Sequence, residues 1–336
     1  MKKERLRRVK KLLVPAVLCL FVLAAFLLWQ ESTEHEIRKT LDAVRNLSSD
    51  LTLAIYTDIH HDPESRKDVY AETIDCMGRI MAGADVDALW NLGDIINGSK
   101  TTRTEAEAQI RDVTNAENAV TLFAHRIAGN HDSNVRSTWE SGPGFGPEEV
   151  LSPQDLADIL GNPGMEQQEI RSDLRPTDYY VDFDRVRVIC VSTDDVTFTE
   201  ETARWLEHAL DTDRQALFLA HCPTRPEWGY YGDIQGGEQI EQVIRDFQAE
   251  GGTVIAWIHG HDHGDMIQDA GGWKEIAIGC ARYQVPGGGS TEGMEYAKRH
   301  RWGASRFLFD VVSIDTQTRT VHLTRFGAGP DREITY

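Results

Sequence analysis

Leu51-Thr52-Leu53-Ala54-Ile55-Tyr56-Thr57-Asp58-Ile59-His60 is an apolar, β-branched run that ends in a carboxylate and an imidazole two positions apart. It reads as a strand that delivers Asp58 and His60 to its C-terminal mouth. The same arrangement recurs along the chain. Ala88-Leu89-Trp90-Asn91-Leu92-Gly93 runs into Asp94, and the apolar segment from Leu122 to Gly129 runs into Asn130-His131-Asp132. Ala216-Leu217-Phe218-Leu219-Ala220 ends in His221, and Thr253 to Ile258 leads to Gly260-His261-Asp262-His263. A single Asp or His behind a buried strand is more often a turn former or a hydrogen-bonded core group than a ligand. Five such strand exits argue instead for one shared site.

Between these strands lie helical patterns at Val69 to Met81, Thr202 to Leu210 and Gln239 to Gln248. Strands alternating with helices predict an α/β fold, in which functional groups gather where successive strands exit one edge of a sheet. Carboxylates, one amide oxygen and five imidazoles at such exits form a donor set for two adjacent divalent metals. Mixed imidazole and carboxylate shells suit Mn, Fe or Zn better than calcium, which prefers oxygen alone.

The ordered motifs Asp58-x-His60, Gly93-Asp94, Gly129-Asn130-His131-Asp132, His221 and Gly260-His261-x-His263 resemble those of the calcineurin-like metallophosphoesterases at every position. The resemblance covers nearly all of residues 50–326 and implies a four-layer α-β-β-α sandwich. It also implies that Asp58, His60, Asp94 and His263 hold one metal, while Asp94, Asn130, His221 and His261 hold the other. His131, left without a metal, is implied to donate a proton to the leaving group. The cations would lower the pKa of a bridging water to give hydroxide and would neutralise phosphoryl oxygens during in-line attack.

Two departures narrow the resemblance. Purple acid phosphatases carry a tyrosine ligand where this chain has Asn97. Protein Ser/Thr phosphatases carry G-D-x-x-D-R-G, whereas the chain reads Gly93-Asp94-Ile95-Ile96-Asn97-Gly98-Ser99. The usual carboxylate partner of the catalytic histidine is missing there, which leaves Asp132 or Asn97 to orient His131. The Gly-Asn-His-Asp motif is more similar to that of the small bacterial phosphodiesterase-type branch.

Seven of residues 2–11 are Lys or Arg, and Leu12 to Trp29 follow without a charge. As a helix rising 1.5 Å per residue, these eighteen positions would span about 27 Å, close to the thickness of bilayer hydrocarbon. With the basic tip held on the cytoplasmic side, the expectation is an uncleaved signal anchor and a catalytic domain outside. Secretion after signal cleavage is the alternative. The chain's formal net charge is −19 although the tip is basic. Such acidity disfavours a nucleic acid polymer as substrate and leaves a small phosphate ester as the expected partner.

The sequence therefore divides into a basic tip with a transmembrane anchor (1–30), a linker (31–47) and a metallophosphoesterase domain (48–336). Residues 133–178 interrupt the strand-helix rhythm and read as an insertion beside His131, suited to substrate selection or to a loose surface excursion. Tyr283 and Gly287-Gly288-Gly289 suggest a second rim loop, while Tyr179 to Val191 and Arg306 to Thr324 read as hairpins completing the second sheet. Lys298-Arg299-His300-Arg301 reads as a solvated basic loop. Five cysteines without regular spacing predict buried thiols rather than bridges. His61 and His259, adjacent to ligands in extended segments, read as supporting or packing groups. The function expected is hydrolysis of a phosphomonoester or phosphodiester. The alternatives are an exported hydrolase of envelope lipid or polymer phosphodiesters, and a non-catalytic metal-stabilised binding protein on the same fold.

Overall fold

The computed structural model describes residues 17, 21, 22, 24, 26, 28, 32–139, 146–161, 168–228, 234–282 and 293–336. Strand β1 (Leu51–Tyr56) shows why the chain layers as it does. Its six residues are all buried. Ala54 and Tyr56 face one apolar cluster and Leu53 and Ile55 the other, the period-2 alternation of a strand covered on both faces. β1 pairs in parallel with β2 (Ala88–Asn91), which pairs in parallel with β3 (Ala124–Arg126). Connections between parallel strands require crossovers, supplied by α2 (Tyr70–Gly83) and α3 (Arg103–Val120).

The second sheet is built from β4 (Ile170–Arg171), β5 (Tyr179–Asp182), β6 (Val186–Val191), β7 (Gln215–Ala220), β8 (Val254–His259), β9 (Asp265–Asp269) and β10 (Lys274–Ile278). Its order is β4-β5-β6-β7-β8-β10-β9, with β6, β7, β8 and β10 parallel. Helices α6 (Glu200–Ala209) and α7 (Gly237–Ala249) cover its outer face through Leu206, Ile240 and Ile244. Three apolar clusters, one between the sheets and one under each helical layer, make up the expected four-layer α-β-β-α sandwich.

Both expected hairpins form, but in different sheets. β5 and β6 lie in the second sheet, whereas β11 (Leu308–Asp315) and β12 (Thr320–Gly327) join the first, in the order β13-β12-β11-β1-β2-β3 with β13 spanning Arg332–Thr335. The reason is burial on both faces of β11. Phe309 and Val311 pack toward the helices and Val312 and Ile314 toward the other sheet, so β11 takes an interior place beside β1. Helix α3 has no counterpart among the helical patterns read from the sequence. Its buried stripe is narrow, Ala106, Ile110, Val113, Thr114 and Glu117, and much of the remainder is polar. A Thr102–Glu105 capping box starts it. Glu117 is buried against Arg126 and Tyr56 and accepts from Asn91 Nδ2 at 2.9 Å.

Residues 32–45, expected as part of a linker, are helical (α1). Ile37, Leu41 and Val44 recur at helical spacing and pack on the first core. Arg79 Nη2 meets Glu34 Oε2 at 2.6 Å and Arg45 Nε donates to the carbonyl oxygen of Gly83 at 2.7 Å. Within the insertion lie α4 (Val135–Trp139), a turn at Pro147–Glu149, α5 (Pro153–Leu160) and the edge strand β4. Tyr283 and Gly287 to Gly289 lie outside the described residues, as does most of the apolar run 12–29; its described positions 17, 21, 22, 24, 26 and 28 are helical and exposed. Among the described residues no helix is long and apolar enough to cross a membrane. Among the described residues Cys76, Cys190, Cys222 and Cys280 are buried and form no disulfide.

One ion network ties the sheets together near the site. Arg325 on β12 is 1% exposed and donates from Nε to Asp310 Oδ1 at 2.9 Å and from Nη2 to Asp265 Oδ1 at 2.6 Å. Arg332 adds a bond to Asp310 Oδ2 at 2.8 Å. Removing one partner of a buried pair strands the remaining charge, at a cost of about 3–5 kcal/mol. Arg325→Leu is expected to lower the urea unfolding free energy by about that amount, and a loss under about 1 kcal/mol would show that the network is not structural.

Candidate metal centre

Each motif sits where a parallel strand ends, and three of the five lie on backbone that bulky residues avoid. Among the described residues nine non-glycine residues have positive φ, and five of them are Asp58 (55°), His60 (44°), Asp94 (52°), His261 (68°) and His263 (60°). Such conformations cost about 1–3 kcal/mol each and persist when the surroundings over-determine them. The surroundings here are the motifs themselves. Asp58 N donates to the Gly93 carbonyl at 2.9 Å and His60 N to that of Asp94 at 2.9 Å. His131 N donates to Asp94 Oδ1 at 2.8 Å and His261 N to Asp58 Oδ2 at 3.0 Å. Gly93 and Gly129 let two of these turns touch: a methyl on Gly93 would overlap the Gly129 backbone, and one on Gly129 the Asp94 backbone.

The turns aim two sets of donors inward. Asp58, His60, Asp94 and His263 offer ligand atoms within 4.8 Å of one another. His60 Nε2 lies 3.0 Å from His263 Nε2, 3.6 Å from Asp58 Oδ1 and 3.7 Å from Asp94 Oδ2, and Asp58 Oδ1 lies 3.1 Å from His263 Nε2. On the other side His221 Nε2 is 3.3 Å from Asp94 Oδ1 and 3.0 Å from Asn130 Oδ1, which is also 3.0 Å from His261 Nδ1. Donors about 2.1 Å from one cation lie about 3.0 Å apart at right angles and about 3.4 Å apart at tetrahedral angles. Five of the spacings, 3.0–3.3 Å, fall in that range, while His60 stands slightly farther from the two carboxylates at 3.6 and 3.7 Å, and Asp94 presents one oxygen to each set. Asp58 Oδ1 is buried without a hydrogen bond, as befits an atom reserved for a cation.

The buried carboxylates and imidazoles shift one another's proton affinities. Burial alone would raise the pKa values of Asp58 and Asp94, but Asp58 is held well below the usual range by His263 and Asp94 by His131 and His221. Burial disfavours charge on His221, yet Asp94 outweighs it and pushes the imidazole up to about 9; Asp58 likewise raises His263. Desolvation lowers His60 and takes His131 down to about 3.

The pattern of the calcineurin-like phosphoesterases matches residues 51–265. The chain belongs to this family. A dimetal phosphatase from Danio rerio superposes with a TM-score of 0.61 at 15% identity, covering 86% of this chain and 100% of that one. GAP50, the anchor in the inner membrane complex of Plasmodium, superposes with a TM-score of 0.50 at 11% identity, covering 81% and 83% respectively. At these identities the likeness concerns the fold. No functionally curated protein matches the chain in sequence.

The surroundings of the cluster differ from the sequence expectation in four respects. Asp132 does not orient His131: it accepts from Gly129 N (2.8 Å), Ile95 N (2.7 Å) and Ile96 N (3.2 Å), bracing two motif turns, and burial pushes it up to about 7. Asn97 does orient His131, but through its backbone carbonyl, which lies 2.6 Å from Nδ1. Two arginines were not foreseen. Arg282 Nη1 donates to Asn97 Oδ1 at 3.0 Å, and Arg136 on α4 lies beside the Asn130 amide. Turning that amide would place its oxygen 2.6 Å from Arg136 Nη2 and its nitrogen toward His221 and His261, whereas a cation between the imidazoles needs the oxygen inward. No motif spacing marks either arginine, because both arrive from loops distant in sequence or from an irregular insertion. Cys222 Sγ lies within 4.8 Å of donor atoms of His221 and His261, a soft donor that the sequence reading treated only as a buried thiol. His61 is a supporting group, bonded to Asp68 Oδ2 at 2.6 Å, and His259 Nδ1 lies 3.0 Å from the carbonyl oxygen of Gly260.

Because the His221 pKa is raised, below about pH 9 a metal must displace its proton. Calorimetric titration with Mn²⁺ in buffers of differing ionisation enthalpy should register proton release, with apparent affinity falling about tenfold per pH unit lowered for each proton displaced. Binding without proton release or pH dependence would contradict this charge arrangement.

Proposed function

We propose that the chain hydrolyses the P–O bond of a small phosphomonoester or phosphodiester. The carrying observation is the convergence of Asp58, His60, Asp94 and His263 beside Asn130, His221 and His261, with Asp94 shared between them. These residues are assigned to two divalent cations, Mn, Fe or Zn. When bound, such cations would make a water more acidic and would offset charge on phosphoryl oxygens. His131 is assigned the proton. Its Nδ1 is held on the Asn97 carbonyl, so Nε2 points toward the cluster, 3.6 Å from Asp94 Oδ2. Burial keeps the ring neutral at rest, and the negative charge of a bound ester favours protonation of Nε2, from which the leaving oxygen takes the proton. Retention of the full donor set together with His131 disfavours a purely scaffolding protein.

His131→Ala is expected to keep its metals yet lose about 10²–10⁴-fold on an alkyl phosphate, and much less on p-nitrophenyl phosphate, whose leaving group departs unprotonated. Asp94→Ala should lose activity and most of the metal. Equal losses on both esters with metal retained would count against proton donation, and full activity of Asp94→Ala would sink the dinuclear reading. Paired assays with bis-p-nitrophenyl phosphate separate monoester from diester preference.

We also propose that residues 12–29 anchor the chain in a membrane with the catalytic domain on the extracytoplasmic side. The basic tip supports that orientation. The described apolar positions Val17, Phe21, Val22, Phe26 and Leu28 are 46–71% exposed, surface that water disfavours and lipid would cover. Protease added to intact spheroplasts should digest the domain; protection matching a cytosolic marker would refute the orientation.

A further inference from the structure

We propose that residues 298–302 form a bilayer-facing surface that rests on anionic lipid headgroups around the anchor, an inference that rests on the membrane reading above. The first observation is position. The Cβ site of Gly303 lies 3.4 Å from Ser32 Oγ, so this loop abuts the first described residue of α1. Phe26 and Leu28, exposed and helical, precede Ser32 by six and four positions in the chain. Nor does α1 act as a free tether. Its buried Ile37 and Val44, the Glu34–Arg79 pair and the Arg45–Gly83 bond fix it to the domain, and so hold the loop at the base of the anchor.

The second observation is the chemistry of the loop. Trp302 is 74% exposed, whereas Trp90, Trp205, Trp257 and Trp273 are all buried. An indole stranded in water close to an apolar helix has the amphipathic character that membrane interfaces favour. Lys298, His300 and Arg301 beside it are exposed. Among the described residues at the helix base, Glu34 pairs with Arg79 and Glu36 with Lys39. In a chain of net charge −19, this local cationic surface is suited to face anionic headgroups.

The loop is also stiff. Arg299 Nη1 donates to the carbonyl oxygens of Cys280 at 2.7 Å and Arg282 at 2.6 Å, and Nη2 to that of Ala281 at 3.1 Å. Ala281 N and Arg282 N in turn donate to the carbonyls of Thr57 and Asp58. A headgroup contact at Trp302 would therefore be connected to the wall of the metal centre through two layers of backbone.

The test uses the full chain reconstituted into phosphatidylglycerol-containing vesicles bearing lipids brominated near the headgroup. Tryptophan quenching is compared between wild type, Trp302→Ser and Lys298→Glu/Arg301→Glu, with carbonate washing as the control for insertion. The expected results are loss of a quenched component in Trp302→Ser and weaker quenching in the charge variant or in purely zwitterionic vesicles. Equal quenching in wild type and Trp302→Ser, with the chain retained after washing, overturns the docking and leaves the anchor standing. A chain that carbonate strips away overturns the anchor and the docking with it. Protection of Trp302 that rises with protein density in vesicles without bromine quenching would assign the surface to a second copy and likewise overturn the proposal.

Discussion

Asp58, Asp94 and Asp132 are buried together at the joint between two sheets, and their negative charge has to be offset for that joint to close. Hydrogen bonds meet part of the need. Asp132 takes three backbone N–H groups, while Asp58 and Asp94 each take one from another motif. The rest falls to imidazoles, whose raised proton affinity at His221 and His263 measures how strongly positive charge is wanted there. The same buried carboxylates and imidazoles could hold a divalent cation in place of those protons.

The sandwich exists in a form that serves this joint. Parallel strands bring the exits of β1, β2, β3, β7 and β8 to one rim, and tight left-handed turns after β1, β2 and β8 swing their side chains inward instead of letting them follow the strand. The turns do not hold themselves. They are interlocked by Asp58–Gly93, His60–Asp94, His131–Asp94 and His261–Asp58 bonds, so one motif's backbone conformation is maintained by another motif's atoms. Arg325 fastens the same rim from the far end of the chain by bridging Asp310 in the first sheet and Asp265 just beyond His263.

The supports of the centre are more dispersed than its ligands. His131 takes its tautomer from a main-chain carbonyl, so the group that positions it has no side-chain signature. Arg282 reaches Asn97 from 185 residues away, and Arg136 stands on a five-residue helix inside an irregular insertion. A second coupling runs from the Arg299 loop through Cys280, Ala281 and Arg282 to the backbone of Thr57 and Asp58, joining the surface near α1 to the metal centre.

The amino-acid sequence by itself determined the strand-exit motifs, the α/β alternation, the two hairpins and the free thiols, because apolar periodicity and donor residues at strand ends are local properties. It could not decide what depends on contacts between distant segments. Whether the β11–β12 hairpin belonged to one sheet or the other turned on which core its two faces entered. Helix α3 hid behind a mostly polar surface, and its buried Glu117 became legible as core only beside Arg126 and Tyr56. The stretch 31–47 resembled a linker until Ile37, Leu41 and Val44 found a partner surface. The task of Asp132 likewise changed from orienting a histidine to bracing two turns, since hydrogen-bond partners are chosen by the tertiary arrangement and not by adjacency in the chain.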